Sequence, residues 1–281
     1  MLQHTDEIRC GANAKKYCDL IISSQVPKRK RFNDYYVGFN IRNAHYVTHL
    51  LCYNTHWKKI IKIAIHKYKI NFDFFKNDSE ELWYFYGLLA SDGYINDYNI
   101  ELCLNNKDKE VLDKLRQIIC PEKPLYDKKS THSTKLTICS KNQLCPKIKH
   151  IFNMSSNNKH QEIRFPSNIP DTYIKDFIRG VIDGDGCIDT TISHHSNGNT
   201  SIIPRLRILG NYQFLQELNQ ATKSFVKHNT NSISKKGAEN VWCITYNGKT
   251  AKDLLTWCYS ESNIGLQRKY KKFEEVCNIK I

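Results

Sequence analysis

Two aspartates stand at matching places in two related stretches of this chain. Tyr84 to Asn96 reads YFYGLLASDGYIN, and Phe177 to Asp189 reads FIRGVIDGDGCID. Aligned without a gap, Gly87 meets Gly180, Asp92 meets Asp185, Gly93 meets Gly186 and Ile95 meets Ile188. Both stretches are apolar on nearly every side up to the aspartate, the pattern of a helix buried among other elements. Gly87 with Ala90 and Ser91, and Gly180 with Gly184, bare the backbone at matching turns, so the two helices are expected to pack on each other. Asp92 and Asp185 then sit side by side at two helix C-termini. An anion there lies at the wrong pole of the helix dipole, and mutual repulsion raises a carboxylate pKa unless a cation is present. A hard divalent cation such as Mg²⁺ relieves both penalties.

The elements that must hold this pair are legible around it. Asp78-Ser79-Glu80-Glu81 and Pro170-Asp171-Thr172 supply capping residues ahead of the two helices. Gly93 and Gly186 suit a left-handed residue just past each helix end. Downstream, Asn99 to Leu104 alternates as a strand, and Lys107 to Ile119 has helical spacing. Ile203 to Leu209 and Gln213 to Phe225 repeat that order. A further strand and helix close each copy: Lys135 to Lys141 then Leu144 to Phe152, and Val241 to Lys249 then Ala251 to Tyr259. In both, a threonine precedes a lysine by four residues, Thr137 with Lys141 and Thr245 with Lys249. The second copy carries an insertion, His194 to Ser201, that reads as a loop reaching outward or a disordered one. The expected class is therefore α+β, an internal duplication of helix, strand pair, helix, strand pair, helix. Its limits are 79–168 and 169–281.

Residues 1–78 differ in character. Pro27-Lys28-Arg29-Lys30-Arg31 is a basic run that fits a nuclear address, a phosphate-contacting arm or a solvated loop equally. Asn43 to Tyr53 and Trp57 to Tyr68 read as two short helices, compatible with a helix-turn-helix or with a small packing domain. His45, His49, Cys52 and His56 fall at helical intervals, but structural zinc usually joins separate elements, so ordinary helix residues are expected there. Over 281 residues, 42 Lys+Arg against 28 Asp+Glu give a formal charge of +14, a field that attracts polyanions such as nucleic acid. Eleven cysteines without framework spacing, and no apolar run after Met1 to Arg9, point to reduced thiols in an intracellular compartment. Cys139 and Cys145 read as structural. The most apolar stretch, Leu82 to Ala90, is far too short to span a membrane.

Phe85 to Gly93 (FYGLLASDG) and Ile178 to Gly186 (IRGVIDGDG) resemble the two signature helices of LAGLIDADG homing endonucleases of the single-chain, two-repeat type. The resemblance covers most of residues 80 to 275 and includes the ending Ile264-Gly265-Leu266-Gln267-Arg268-Lys269-Tyr270-Lys271-Lys272-Phe273. The first repeat departs from the family pattern at Ala90 and Ser91, where Asp and Ala are usual. The resemblance implies two αββαββα units forming a saddle of antiparallel strands that lies in the DNA major groove. It implies a monomer acting on a long asymmetric duplex, with Mg²⁺ (Mn²⁺ as a substitute) at Asp92 and Asp185 beside Ser91 and Gly184. Lys141 and Lys249 would line the solvent pocket, stabilising transition-state charge or ordering water, or serve as surface phosphate contacts. Groove contacts are expected from Asn99, Glu101, Lys135, Arg205, Arg207, Lys235 and Lys236, with Lys128, Lys129, His194 and His195 from hairpin loops. Two rival functions stay open on the same scaffold, an intron RNA maturase and a DNA-binding regulator. Binding alone does not require an acidic pair.

Overall fold

Helix α1, Glu80–Asp92, starts at Ser79, whose side chain accepts from the Leu82 amide and so satisfies one orphan donor of the first turn. Its counterpart α5, Ile174–Asp185, starts differently. A 3₁₀ turn, Asp171–Tyr173, leads into it, and no side-chain cap is made, so the capping expected of Pro170-Asp171-Thr172 is replaced by continuity of the turn. These facts come from a computed structural model that describes residues 68–279 apart from 195, 197, 228–232 and 238–240. The basic run, the two N-terminal helices, the His45 to His56 series and His195 lie outside the described residues.

Each repeat follows its motif helix with the same topology. In the first, β1 (Gly93–Ile95), β2 (Asn99–Asn105), α2 (Lys109–Ile119), β3 (Tyr126–Lys128), β4 (Ser133–Cys139) and α3 (Leu144–Ile151) follow in turn, with a single-turn α4 (Lys159–Glu162). In the second come β5 (Gly186–His194), β6 (Thr200–Gly210), α6 (Tyr212–Lys223), β7 (Ile233–Lys236), β8 (Val241–Asn247), α7 (Gly248–Tyr259) and α8 (Gln267–Cys277). The sheets are antiparallel, with orders β1-β2-β4-β3 and β5-β6-β8-β7. Two αββαββα units of one topology make the duplication a structural fact. The packed body begins before residue 79, because Phe74 and Phe75 are buried with their rings edge-on to Phe85.

Alternation decides which face of each sheet is covered. In β2, Ile100, Leu102 and Leu104 are buried, and in β4, Thr134, Leu136 and Ile138. Leu206 and Ile208 of β6 and Tyr246 of β8 do the same in the second repeat. Helices cover these faces, and the intervening side chains form an open face on each sheet. The insertion is not simply a loop. β5 and β6 pair outward as far as His194 with Thr200, because Thr190 to Ser193 and Ser201 to Ile203 carry β-favouring branched residues that extend the hairpin. Only residues 195–199 connect the two strands.

The two units join through α1 and α5, the most extensively contacting pair of elements. A Cβ on Gly87 would lie 2.0 Å from the Phe177 carbonyl oxygen, and one on Gly180 would lie 2.4 Å from that of Tyr84. The helices therefore meet backbone to backbone, as the small residues implied. A buried polar cluster then fixes their angle. Arg179 donates to Glu80 at 2.7 Å, Asp176 at 2.8 Å, and the Ile264 and Cys258 carbonyls, both at 2.9 Å. Asp183 accepts from Tyr84 Oη at 2.8 Å, Tyr259 Oη at 2.6 Å and the Leu266 amide at 2.7 Å. With every member partnered, the cluster rigidifies the core instead of straining it. Gly180→Ala is expected to lower stability by about 3 kcal/mol, since backbone cannot yield as a flexible side chain would. Urea unfolding monitored by tryptophan fluorescence measures this, and a loss under about 1 kcal/mol would contradict the close contact.

Candidate active site

The helix contact delivers both aspartates to one place. A Cβ on Gly184 would stand 2.1 Å from Ser91 Oγ and 3.2 Å from Asp92 Oδ2, so the Asp92 carboxyl lies against the residue preceding Asp185. Both carboxyls reach solvent, since Asp92 and Asp185 are exposed residues. The protein crowding around them still costs hydration. Burial, then repulsion from Asp185, pushes the Asp92 carboxyl up to about 6. Burial raises Asp185 too.

The backbone turns at once from each helix into a strand. Gly93 (φ −86°, ψ 162°) and Gly186 (φ −83°, ψ 150°) are extended, not left-handed as expected. Glycine is required there for room: a Cβ would come within 2.4 Å of the Leu89 carbonyl oxygen and 2.5 Å of that of Ile182. Carbonyls at each helix end also accept from a lysine. Lys159 Nζ donates to the Leu89 carbonyl at 3.3 Å and to that of Ser91, and Lys269 Nζ donates to that of Ile182 at 3.2 Å and to that of Gly186. Both lysines are buried. Burial holds Lys159 down to about 8 and also lowers Lys269. They and Arg268 are the cations that act on Asp92, while Lys159 and Lys269 act on Asp185.

No family model matches the chain, and no curated protein matches it. Solved structures do. The I-LtrWI LAGLIDADG homing endonuclease bound to target DNA aligns with a TM-score of 0.51 at 14% identity, covering 73% of this chain and 89% of that one. The meganuclease I-SmaMI bound to uncleaveable DNA with a TTGT central four aligns with a TM-score of 0.50 at 12% identity, covering 72% and 88%. The chain has the LAGLIDADG homing endonuclease fold.

Within that fold the expected site residues divide. Asp92 and Asp185 are together, and Gly87, Gly180 and Gly184 make the close contacts that put them there. Ser91 donates its hydroxyl toward the Gly87 and Leu88 carbonyls, at 3.2 and 3.1 Å, and its carbonyl accepts from Lys159. Lys141 and Lys249 stand two residues beyond equivalent strand ends. Lys141 lies beyond the end of β4, over the Tyr98 ring at 4.8 Å. Lys249 sits in the first turn of α7, where Asn247-Gly248 ends the strand early, and pairs with Asp253 at 2.7 Å in solvent. Lys159 and Lys269 are the buried lysines at the two helix ends. Lys269 stands in the C-terminal stretch that carried the family resemblance, whereas Lys159 follows an unremarkable Ser-Asn loop.

The open faces carry the groove candidates. Asn99, Glu101 and Lys135 share one face of the first sheet, where Lys135 pairs with Glu101 at 3.0 Å. Arg205 and Arg207 share that of the second, both bound to Asp189, at 2.7 and 2.6 Å. Lys128, Lys235, Lys236 and His194 are exposed strand residues, and exposed Lys129 opens a 3₁₀ turn. Among the described residues, no three or more His, Cys, Asp and Glu gather as a metal cluster, every cysteine is a free thiol, and no helix is long and apolar enough to cross a membrane.

The Asp92 shift fixes a sign. A carboxyl with its folded pKa raised from 3.8 to about 6 binds more protons folded than unfolded between those values, so the stability it contributes is lost as pH rises through that window. Without metal, Asp92→Asn is expected to gain stability relative to the unsubstituted protein from pH 4 to pH 6, then hold the gain. Saturating Mg²⁺ should reverse the order. Melting curves across that range, with and without the ion, test both statements, and a pH-independent difference would refute them.

Proposed function

We propose that the protein is a site-specific DNA endonuclease that hydrolyses one phosphodiester bond in each strand of a long, asymmetric duplex target. The observation that carries this reading is the meeting of Asp92 and Asp185 at two helix ends, each braced by a buried lysine. The donor set suits a hard divalent cation. Two carboxylates with raised proton affinity gain from a cation, and the absence of a third acidic, His or Cys ligand among the described residues leaves positions for water and phosphate oxygens. Asp92 and Asp185 would hold Mg²⁺, with Mn²⁺ able to replace it. When bound, such an ion activates water and offsets charge on the phosphate and the departing oxygen.

The remaining chemistry belongs to the chain. Lys159 and Lys269 add positive charge where negative charge develops on the phosphate, and each is already oriented by carbonyl acceptors, so little reorganisation is needed. An ammonium with pKa near 8 is also suited to exchanging a proton with water at neutral pH. The open sheet faces would lie along the duplex, with Lys128, Lys129, Lys235, Lys236 and His194 at their edges meeting phosphates. The I-LtrWI endonuclease of the same fold is bound to target DNA. Both halves come from one chain, so a monomer suffices. Reduced thiols fit an intracellular, reducing compartment. Nothing in the site favours the maturase or regulator readings over cleavage.

Asymmetry of the target has its own support. Gly93 pairs with Leu102 and Gly186 with Ile208, so Glu101 and Arg207 occupy the same position in their repeats, opposite Thr137 and Thr245. A guanidinium reads guanine and a carboxylate accepts from cytosine, so a palindromic site would satisfy only one of them.

On a supercoiled target selected from a randomised duplex library, Asp92→Asn and Asp185→Asn should each cut about 10³-fold slower or less, while affinity in Ca²⁺ stays within a few-fold. Unchanged cutting by both variants would end the reading. Arg207→Gln should flatten a guanine preference at one position in the same selection, by about tenfold in discrimination. Loss spread evenly over all positions would make Arg207 a phosphate contact instead.

A further inference from the structure

The two lysines are buttressed across the repeat boundary, and by different residues. Helices α2 and α6 are equivalent: Val111, Leu112, Leu115 and Ile119 are buried in one, and Phe214, Leu215, Leu218 and Thr222 at the same spacing in the other. Their N-cap positions are Asp108 and Asn211. Asp108 makes no side-chain cap. Its buried carboxylate instead accepts from Arg268 Nε, at 3.1 and 3.0 Å, although Arg268 belongs to the other repeat. Arg268 immediately precedes Lys269. Asn211 caps its own helix through the Phe214 amide at 2.9 Å, while its side-chain amide donates to the Ile163 carbonyl at 2.9 Å and the His160 carbonyl at 3.4 Å. Those carbonyls end the single turn of α4, which begins with Lys159.

A single turn of helix cannot fix a side chain by itself, because its end carbonyls have no internal partner. Asn211 supplies that partner. Lys269 is set differently. It follows Arg268 at the start of α8, and the ion pair of Arg268 with Asp108 ties that first turn to the other repeat.

Resting on the endonuclease reading above, we infer that Asp108 and Asn211 are positioning residues, each setting the active-site lysine carried by the opposite repeat and so the cutting of one DNA strand. Lys159 and Lys269 are related by the pseudo-twofold between repeats, as are the two strands of a duplex lying along both sheets. A fault on one side of the boundary therefore falls on one strand. A misplacement of an ångström at a catalytic group is enough to slow it by about tenfold to a hundredfold.

The test exchanges the two residues' chemistry. Asp108→Asn removes the charge that holds Arg268 and keeps the side chain's size. Asn211→Asp keeps the helix cap but turns the donor that holds the α4 carbonyls into an acceptor. Each variant is assayed under single turnover with Mg²⁺ on a duplex labelled differently on its two strands, using a target that the unsubstituted protein cuts. Asp108→Asn should slow one strand by about tenfold, with the other within about twofold, and accumulate nicked product. Asn211→Asp should do the same to the opposite strand. Melting temperature and DNA affinity in Ca²⁺ should change little. Both variants slowing the same strand, both strands equally, or neither would overturn the inference, since a general loss of packing cannot choose between strands. Should Asp108→Asn fail to fold, Arg268→Gln takes its place and should affect the same strand. An unsubstituted protein that cuts neither strand of any selected duplex refutes the endonuclease reading, and this inference with it.

Discussion

The close approach of α1 and α5 governs the rest of the molecule. With glycine at 87 and 180, nothing but backbone separates the two helices, and only at that separation do Asp92 and Asp185 stand together. The same closeness leaves little besides Ser91, whose hydroxyl lies 3.5 Å from the Gly180 carbonyl, to lock the crossing angle. The lock comes from the flank, where Arg179 and Asp183 bind Glu80, Tyr84, Tyr259 and the segment Ile264 to Leu266. That segment leads directly into α8 and Lys269. One buried cluster therefore sets both the helix pair and the start of the element that carries a lysine of the site.

The electrostatics of the site are a compromise between two requirements. Two carboxylates at helix C-termini face partial negative charge from the last carbonyls. Lys159 and Lys269 donate to those very carbonyls, so they offset the dipole as well as the aspartates. They do not complete the neutralisation, because Asp92 still rests at about 6. Had the lysines paired with the carboxylates directly, an added cation would gain little by entering. By binding the backbone, they leave the acidic oxygens available.

What the sequence disclosed follows from how local each signal is. The motif helices, their glycines and the duplicated order of elements are written in adjacent residues, and all of them appear. The aspartate pair was legible because two helix ends and one crossing suffice to place it. Lys159 and Lys269 were not. Each acts on a carbonyl more than 60 residues earlier in the chain, and no spacing rule reaches that far. Lys141 and Lys249 each stand two residues past a strand end, as the shared Thr-Lys interval implied, with Thr137 and Thr245 in register opposite Glu101 and Arg207. Gly93 and Gly186 were rightly singled out for the wrong cause. A left-handed cap and a close approach both demand glycine, and only the backbone angles separate them.

The repeats have kept and lost different things, and the division has a physical origin. Residues on the axis between them are constrained twice, since each glycine or aspartate faces both its own helix and the partner helix. Residues on the open faces are constrained only within their own sheet. There Glu101 stands where the other repeat has Arg207, and Asn96 where it has Asp189. Asn96 closes a tight turn by accepting from the amides of Tyr98 and Asn99, at 2.8 and 2.7 Å, whereas Asp189, in a hairpin that runs further out, orients two arginines. The longer hairpin is what released that position from making a turn. A duplicated scaffold can thus hold its centre fixed while its two open faces diverge in charge and reach.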